Sequence, residues 1–240
     1  MNEINKEYRI GTGLPSLYKP VILIDCMDTI LYRDMSLEAL LSIWAKKMGK
    51  EFGVFPRFLN NYRQEVVASA MHNTVPISVI YGEIYDHCNH FGLIHSCNKM
   101  DFINRAHEIE LKIELKYQHL ISETAQFLNK AKEEGVKIYC VSDFRLSGSD
   151  LIEFFKNLGV DHLFSGVYSS CDVGKTKKDG SLYKYVLDCI HKDASECMMI
   201  GDNYKSDCVN ACKNGIDSYQ VQKMKLSIGS ELRDLWYRFS

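Results

Sequence analysis

The chain has 240 residues, 46% of them hydrophobic, and a formal net charge of −2. That length suits one large domain, or one domain carrying an insertion, and the near-neutral balance gives no electrostatic reason to expect nucleic acid or a membrane surface as partner. No apolar run approaches the roughly 18 residues of a membrane span, and the polar start "MNEINKEYRIGTG" lacks the apolar core of a signal peptide, so a soluble, cytoplasmic protein is expected.

In chain order, "PVILID" (20–25) reads as a buried strand that ends in Asp25, and a second aspartate, Asp28, follows three positions later. The stretch from Asp34 to about Lys116 reads as mostly helical. Within it "MSLEALLSIWAKKMGK" carries a 3/4 apolar repeat, and "KMDFINRAHEIELKIELK" is a long charged amphipathic run. Between these, "YDHCNHFGLIHSCNK" holds His87, Cys88, His90, His95 and Cys97. Structural zinc sites have tighter paired spacings, so this segment is taken as a loop or short helix with ordinary histidines. The nine cysteines are odd in number and include no C-x-x-C pair. Reduced thiols are therefore expected, with Cys26 and Cys140 acting as small core residues.

After the helical stretch, apolar runs alternate with helical ones. The further expected strands are "VKIYCVS" (136–142), "LFSGVYSS" (163–170), "ECMMIGD" (196–202) and, more weakly, "DSYQVQ" (217–222). Between them lie "SETAQFLNKAKEEG", "SDLIEFFKNLG", "LYKYVLDCIHK" and "SDCVNACKNG". Ser122 marks a helix start, and Gly135, Gly159 and Gly215 mark helix ends. This alternation predicts an α/β fold, a three-layer Rossmann-like parallel sheet with helices on both faces. Ligands of such sheets bind beyond the carboxyl ends of the strands. There the sequence collects Asp25, then Ser142 and Asp143, then Gly201 and Asp202, with the loop "CDVGKTKKDG" after the third strand. About 110 residues separate the first two strands, far more than one crossover helix needs. The expected division is a core domain of 1–33 and 118–240 and a helical cap of 34–117.

These residues resemble the haloacid dehalogenase superfamily, whose four motifs occur in order. The first, an apolar strand ending in D-x-D-x-T or D-x-x-x-T, is matched by Asp25-Cys26-Met27-Asp28-Thr29. Ser142 in "IYCVSDF" matches the second. Lys177, with Lys175 and Lys178 beside it, matches the lysine of the third, and Gly201-Asp202-Asn203-Tyr204-Lys205-Ser206-Asp207 matches the fourth, "GDxxxxD". The stretches also resemble a bacterial D-x-F-D-T branch associated with surface-polysaccharide genes, which suggests a sugar phosphate or a nucleotide-linked sugar precursor as substrate. Taken singly, each residue has an ordinary structural explanation. Asp207 suits a helix N-terminus, three lysines suit a solvated face, and Ser142 suits a strand-end turn.

The resemblance implies a Mg²⁺-dependent phosphohydrolase acting on a small phosphorylated substrate, with Asp25 as the nucleophile of an aspartyl-phosphate mechanism. It implies Asp25, Asp202 and the backbone carbonyl of Met27 as metal ligands, with Asp207 as a supporting carboxylate. Ser142, Asp143 and Lys177 would hold the phosphoryl group, and Lys177 would also keep Asp25 ionised.

Met27 departs from the pattern. Phosphatases of the family carry an aspartate there as general acid and base, a role worth roughly 10²–10⁴-fold in rate. Three readings stay open. Asp28 or a helical-region group such as Glu83, His72 or His87 supplies the proton transfer; or the site runs phosphonatase- or dehalogenase-like chemistry; or the site binds without turnover. On an extended chain the Asp28 side chain would point away from that of Asp25, which gives it a structural alternative as a loop-holding carboxylate. A phospho-accepting receiver domain, the rival from another class, is about half this length and has no helical insertion after its first strand. The stretch "YGEIYDH" (81–87) is the candidate for closing over substrate.

Overall fold

The computed structural model describes residues 19–69, 75–94 and 97–221. The N-terminal stretch, His72, His95 and Gln222 lie outside them. In chain order the elements are β1 (Val21–Ile24), β2 (Leu31–Arg33), α1 (Leu37–Phe52), α2 (Pro56–Ser69), α3 (Ile77–His90), α4 (Lys99–Tyr117), β3 (Gln118–Leu120), α5 (Ser122–Glu133) and β4 (Lys137–Ser142). There follow α6 (Gly148–Asn157), β5 (Gly166–Ser169), α7 (Ser170–Val173), α8 (Ser181–Ile190), β6 (Cys197–Gly201), a π-helical turn over Tyr204–Val209, α9 (Asn210–Lys213) and β7 (Asp217–Gln220). The described residues fall into two compact units, one of 19–32 and 119–221, the other of Arg33–Gln118. A two-stranded ribbon of β2 and β3 sits where the chain passes between them.

The first unit is built on a five-stranded sheet in the order β5-β4-β1-β6-β7, with every pair parallel. Parallel strands are buried on both faces, and all four residues of β1 are buried, as are all five of β6. One side of the core joins Val21, Leu23, Val141, Cys197 and Met199 of the strands to Leu182, Tyr183 and Val186 of α8. β1 lies between β4 and β6, so the strand order reverses at the centre of the sheet. That is the switch point at which open α/β sheets leave a crevice. All five expected strands are present, each within the limits read from the apolar runs.

α5 starts at Ser122, as expected, with Ile121 in the cap position and no side-chain cap bond. Two local expectations are corrected. The helix expected over "SDCVNACKNG" is a wider π-turn followed by one short α-helical turn, because the Asn203 side chain accepts from both Lys205 N and Ser206 N and fixes that entry. The segment expected as a loop or short helix from Tyr85 contains the last turns of the fourteen-residue α3.

The second unit is helical. Ser36 caps α1 by accepting from Ala39 N at 3.2 Å, and Gly53, at φ 72°, ends it where an L side chain would be strained. Asn98 caps α4 in the same way, through Asp101 N at 2.9 Å. Trp44 of α1 donates from Nε1 to the carbonyl of Ala106 in α4 at 3.0 Å. Two ion pairs lie within this unit, that of Arg63 fully buried and that of Arg33 partly so. Arg63 pairs with Glu110, which also accepts from the Tyr81 hydroxyl. Arg33 donates two bonds to Glu114, at 3.0 and 2.9 Å, and Gln118 donates a third at 2.7 Å. The Arg63 guanidinium lies 4.6 Å from the ring centre of Trp44 and 5.2 Å from that of Tyr81. Its Nε and Nη1 make no hydrogen bond among the described residues, so the two π-faces offset the cost of burying them.

Candidate active site

The ends of β1, β4 and β6 bring Asp25, Ser142 and Asp202 to one edge of the sheet. Asp25 is fixed by its own backbone, whose N–H continues the ladder to Ile200 O at 2.8 Å. Beyond it the chain turns tightly. Ile30 N and Leu31 N both bond Cys26 O at 2.9 Å, and Asp28 N bonds Leu31 O at 2.6 Å. Asp28 sits at φ 57°, in the left-handed region. The extended geometry that would turn its side chain away from Asp25 is therefore not the one adopted. Met27 is half-buried in this turn, and Thr29 is buried with its hydroxyl unpartnered among the described residues.

Of the three lysines in the loop after β5, Lys177 is the one drawn inside, at 2% exposure. Its ammonium donates to Asp25 Oδ1 at 2.6 Å and pairs with Asp207 Oδ1 at 2.7 Å. Lys175 is half-buried and Lys178 is exposed. Carboxylate oxygens of Asp25, Asp202 and Asp207 lie within 4.8 Å of one another.

The electrostatics follow from burial and from the clustered carboxylates. Desolvation pushes the Asp25 carboxyl up to about 7; Lys177 opposes this, while Asp207 and Asp202 add to it. Burial works against the charge of Lys177, but Asp207 and Asp25 outweigh it and hold the ammonium well above its usual value. Two carboxylates, of Asp25 and Asp207, pair with the one ammonium and that of Asp202 lies beside them, so the cluster is rich in anionic oxygen. A divalent cation with hard oxygen ligands matches that donor set.

Asp207 reaches the cluster because Gly201 has no side chain; a Cβ there would fall inside the Asp207 carboxylate. The π-turn carries Asp207 inward, and Asn203 N donates to its Oδ2 at 3.0 Å. Asp143, just past the end of β4, contacts the lysine loop. Its Oδ1 accepts from Lys177 N at 2.9 Å, so the carboxylate is engaged in holding the lysine loop. Burial, partly offset by Lys177, raises its proton affinity. Ser142 is buried at the end of β4, in register with Ser169. In the helical unit, Glu83 is exposed on α3, and His87 is stacked on Tyr62 with ring centres 3.6 Å apart.

Two residues at the site were not singled out in the sequence. Asn210 donates from Nδ2 to the carbonyls of Lys177 and Lys178, at 3.2 and 2.6 Å, and so clamps the lysine loop together with Asp143. Tyr183, buried in α8, donates to Ser206 O at 2.8 Å and ties that helix to the π-turn carrying Asp207. Both fell in ordinary helical patterns. The one available signal was their placement, six residues after Lys177 and three after Asp207.

Comparison with known proteins follows from this geometry. The family profile described as haloacid dehalogenase-like hydrolase matches residues 20–209. No curated protein sequence matches the chain. Among solved structures, a 2-haloacid dehalogenase from Pseudomonas syringae superposes with a TM-score of 0.65 at 15% identity, covering 93% of this chain and 100% of that one. A HAD phosphatase from Thermococcus onnurineus gives 0.58 at 15%, covering 90% and 97%. A magnesium-bound HAD-hydrolase from Bacillus subtilis gives 0.57 at 14%, covering 91% and 99%. At these identities the superpositions establish the fold.

Proposed function

The chain belongs to the haloacid dehalogenase-like hydrolases, and within that family we propose that it is a Mg²⁺-dependent phosphohydrolase acting on a small phosphorylated metabolite of the sugar-phosphate class. The observation that carries this reading is the clustering of three carboxylates, of Asp25, Asp202 and Asp207, at the buried Lys177 ammonium. Halide displacement from a haloacid needs no divalent cation, whereas an anionic phosphoryl group approaching a carboxylate does, and the clustered carboxylates are the groups that would hold one.

In this reading Asp25, Asp202 and the Met27 carbonyl would hold Mg²⁺, with Asp207 supporting them. When bound, the ion screens the phosphoryl oxygens from the carboxylates. The Asp25 carboxylate attacks phosphorus, the bond to the leaving oxygen breaks, and an aspartyl-phosphate forms. Lys177 keeps Asp25 ionised and balances charge on the transferring group, while Ser142 and the backbone N–H groups beside it hold phosphoryl oxygens. Asp143 and Asn210 keep the lysine loop in place.

Asp28 is assigned the proton transfers that Met27 cannot make. It gives a proton to the leaving oxygen, then takes one from the water that attacks the intermediate and frees phosphate. The left-handed turn supports this assignment, because it removes the alternation that would aim Asp28 away from Asp25. The test is phosphate release from an aryl phosphate and a panel of sugar phosphates by wild type and Asp28→Asn. A loss of about 10²–10⁴-fold in kcat for Asp28→Asn is expected. Full activity in that variant would remove Asp28 from the mechanism, and no turnover by wild type on any phosphate would favour a binding protein.

A further inference from the structure

The helical unit carries a second charged feature, separate from the sheet edge. A cavity of 490 Å³ is lined by Lys47, Lys50 and Glu51 of α1 and by Arg105, Ile109 and Lys112 of α4. Residues three and four apart on a helix share a face, so each helix contributes one stripe and the cavity runs along their seam. Its composition is unusual for this chain. Four cationic side chains gather there in a protein whose formal charge is −2.

The nearby carboxylates serve some of these cations and not others. Arg105 donates to Glu51 at 2.6 Å and to Glu108 at 2.7 Å, and Lys112 pairs with Glu108 as well. These contacts set the direction of the guanidinium and of one ammonium. No hydrogen bond or ion pair to the side chain of Lys47 or Lys50 is found among the described residues. The floor is apolar: Ile109 is 5% exposed, and lysine and arginine stems cover such surface while their charged heads reach water. A concave basic site with low-dielectric walls concentrates potential and attracts anions.

We propose that this cavity is a binding site for a phosphorylated small molecule of nucleotide size. Its phosphates would be met by Lys47 and Lys50, with Arg105 and Lys112 already oriented, and its uncharged part would cover Ile109. The volume falls in the range of pockets that take such ligands, about 300–1,000 Å³. A bare anion would use the ammonium groups and leave the apolar floor wet, so the site favours an organic phosphate over an inorganic one. The site shares no residue with the sheet edge, and the proposal does not depend on the assigned hydrolysis.

The test is calorimetric titration of ADP and of inorganic pyrophosphate into the full chain, at low salt and in EDTA, for wild type, Lys47→Gln/Lys50→Gln and Lys177→Met. The expected result is binding of ADP that is tighter than binding of pyrophosphate and that weakens as salt is raised. It should fall about tenfold in the double lysine variant and remain in Lys177→Met. Phosphate release from an aryl phosphate should be unchanged by the double variant. ADP binding unaltered by that variant, or no ADP binding at millimolar concentration, would overturn the proposal. Loss confined to Lys177→Met, with a thermal melt showing that variant folded under the titration conditions, would put the anion at the sheet edge and overturn it equally. Equal affinity for ADP and pyrophosphate would remove the apolar half of the site.

Discussion

Each unit of this protein buries ionised groups, and the two do it with different arrangements. In the helical unit each of two buried carboxylates meets an arginine. Arg63 meets Glu110 and Arg33 meets Glu114, and Tyr81, Gln118 and the Trp44 face take up remaining polar capacity. In the sheet unit one ammonium, Lys177, meets Asp25 and Asp207, with Asp202 beside them. Burying a charge is costly unless it is paired and hydrogen-bonded. Carboxylates that each meet an arginine therefore read as structure, and carboxylates clustered at one ammonium as a place prepared for a further cation. The clustering of carboxylates separates the two more clearly than burial itself.

Removing each cation sharpens this contrast. Lys177→Met leaves Asp25 and Asp207 buried without their ammonium, and should destabilise the metal-free protein by about 3–5 kcal/mol. Added Mg²⁺ should recover part of that loss, as any ligand that binds only the folded state does, while turnover stays about 10²–10³-fold down. Arg63→Met should cost a similar about 3–5 kcal/mol through stranded Glu110, with no recovery on adding Mg²⁺. Thermal melts of both variants with and without the metal measure the difference. Equal rescue, or none in either, would break the comparison.

Smaller changes test how the cluster is held. Gly201→Ala forces the Asp207 carboxylate aside, and a cost of about 1–3 kcal/mol is expected for that overpacking, together with weaker Mg²⁺ binding by titration. Asn210→Ala removes two bonds to the lysine loop and should cost about 1–2 kcal/mol. Its steady-state kinetics should show a lower kcat with little change in KM, because the loop positions Lys177 and the rest of the site is left intact.

The sheet was legible in the sequence because buried parallel strands read as continuous apolar runs, and Asp25, Ser142 and Asp202 stood at their ends. The ribbon of β2 and β3 was not, since three residues each give no periodicity. The run "KMDFINRAHEIELKIELK" shows the limit from the other side. It read as a charged amphipathic helix, and two of its charged residues, Glu110 and Glu114, are fully buried. Both stand on the stripe with Phe102, Ala106, Ile113 and Tyr117, so position, rather than residue type, held the information. At the site, motif residues could be read but their supports could not. Asn210 and Tyr183 act through a carbonyl and a neighbouring helix, and contacts of that kind appear only once the chain is folded.

The central claim, that the sheet edge is a metal-dependent phosphohydrolase centre with Asp25 as its nucleophile, is tested most directly by one comparison. Phosphate release from an aryl phosphate and a set of sugar phosphates would be measured for wild type and Asp25→Asn, with and without EDTA. The account predicts turnover by wild type in Mg²⁺, none in EDTA, and none by Asp25→Asn under either condition. Undiminished turnover by Asp25→Asn, or turnover by wild type that EDTA leaves untouched, would contradict it.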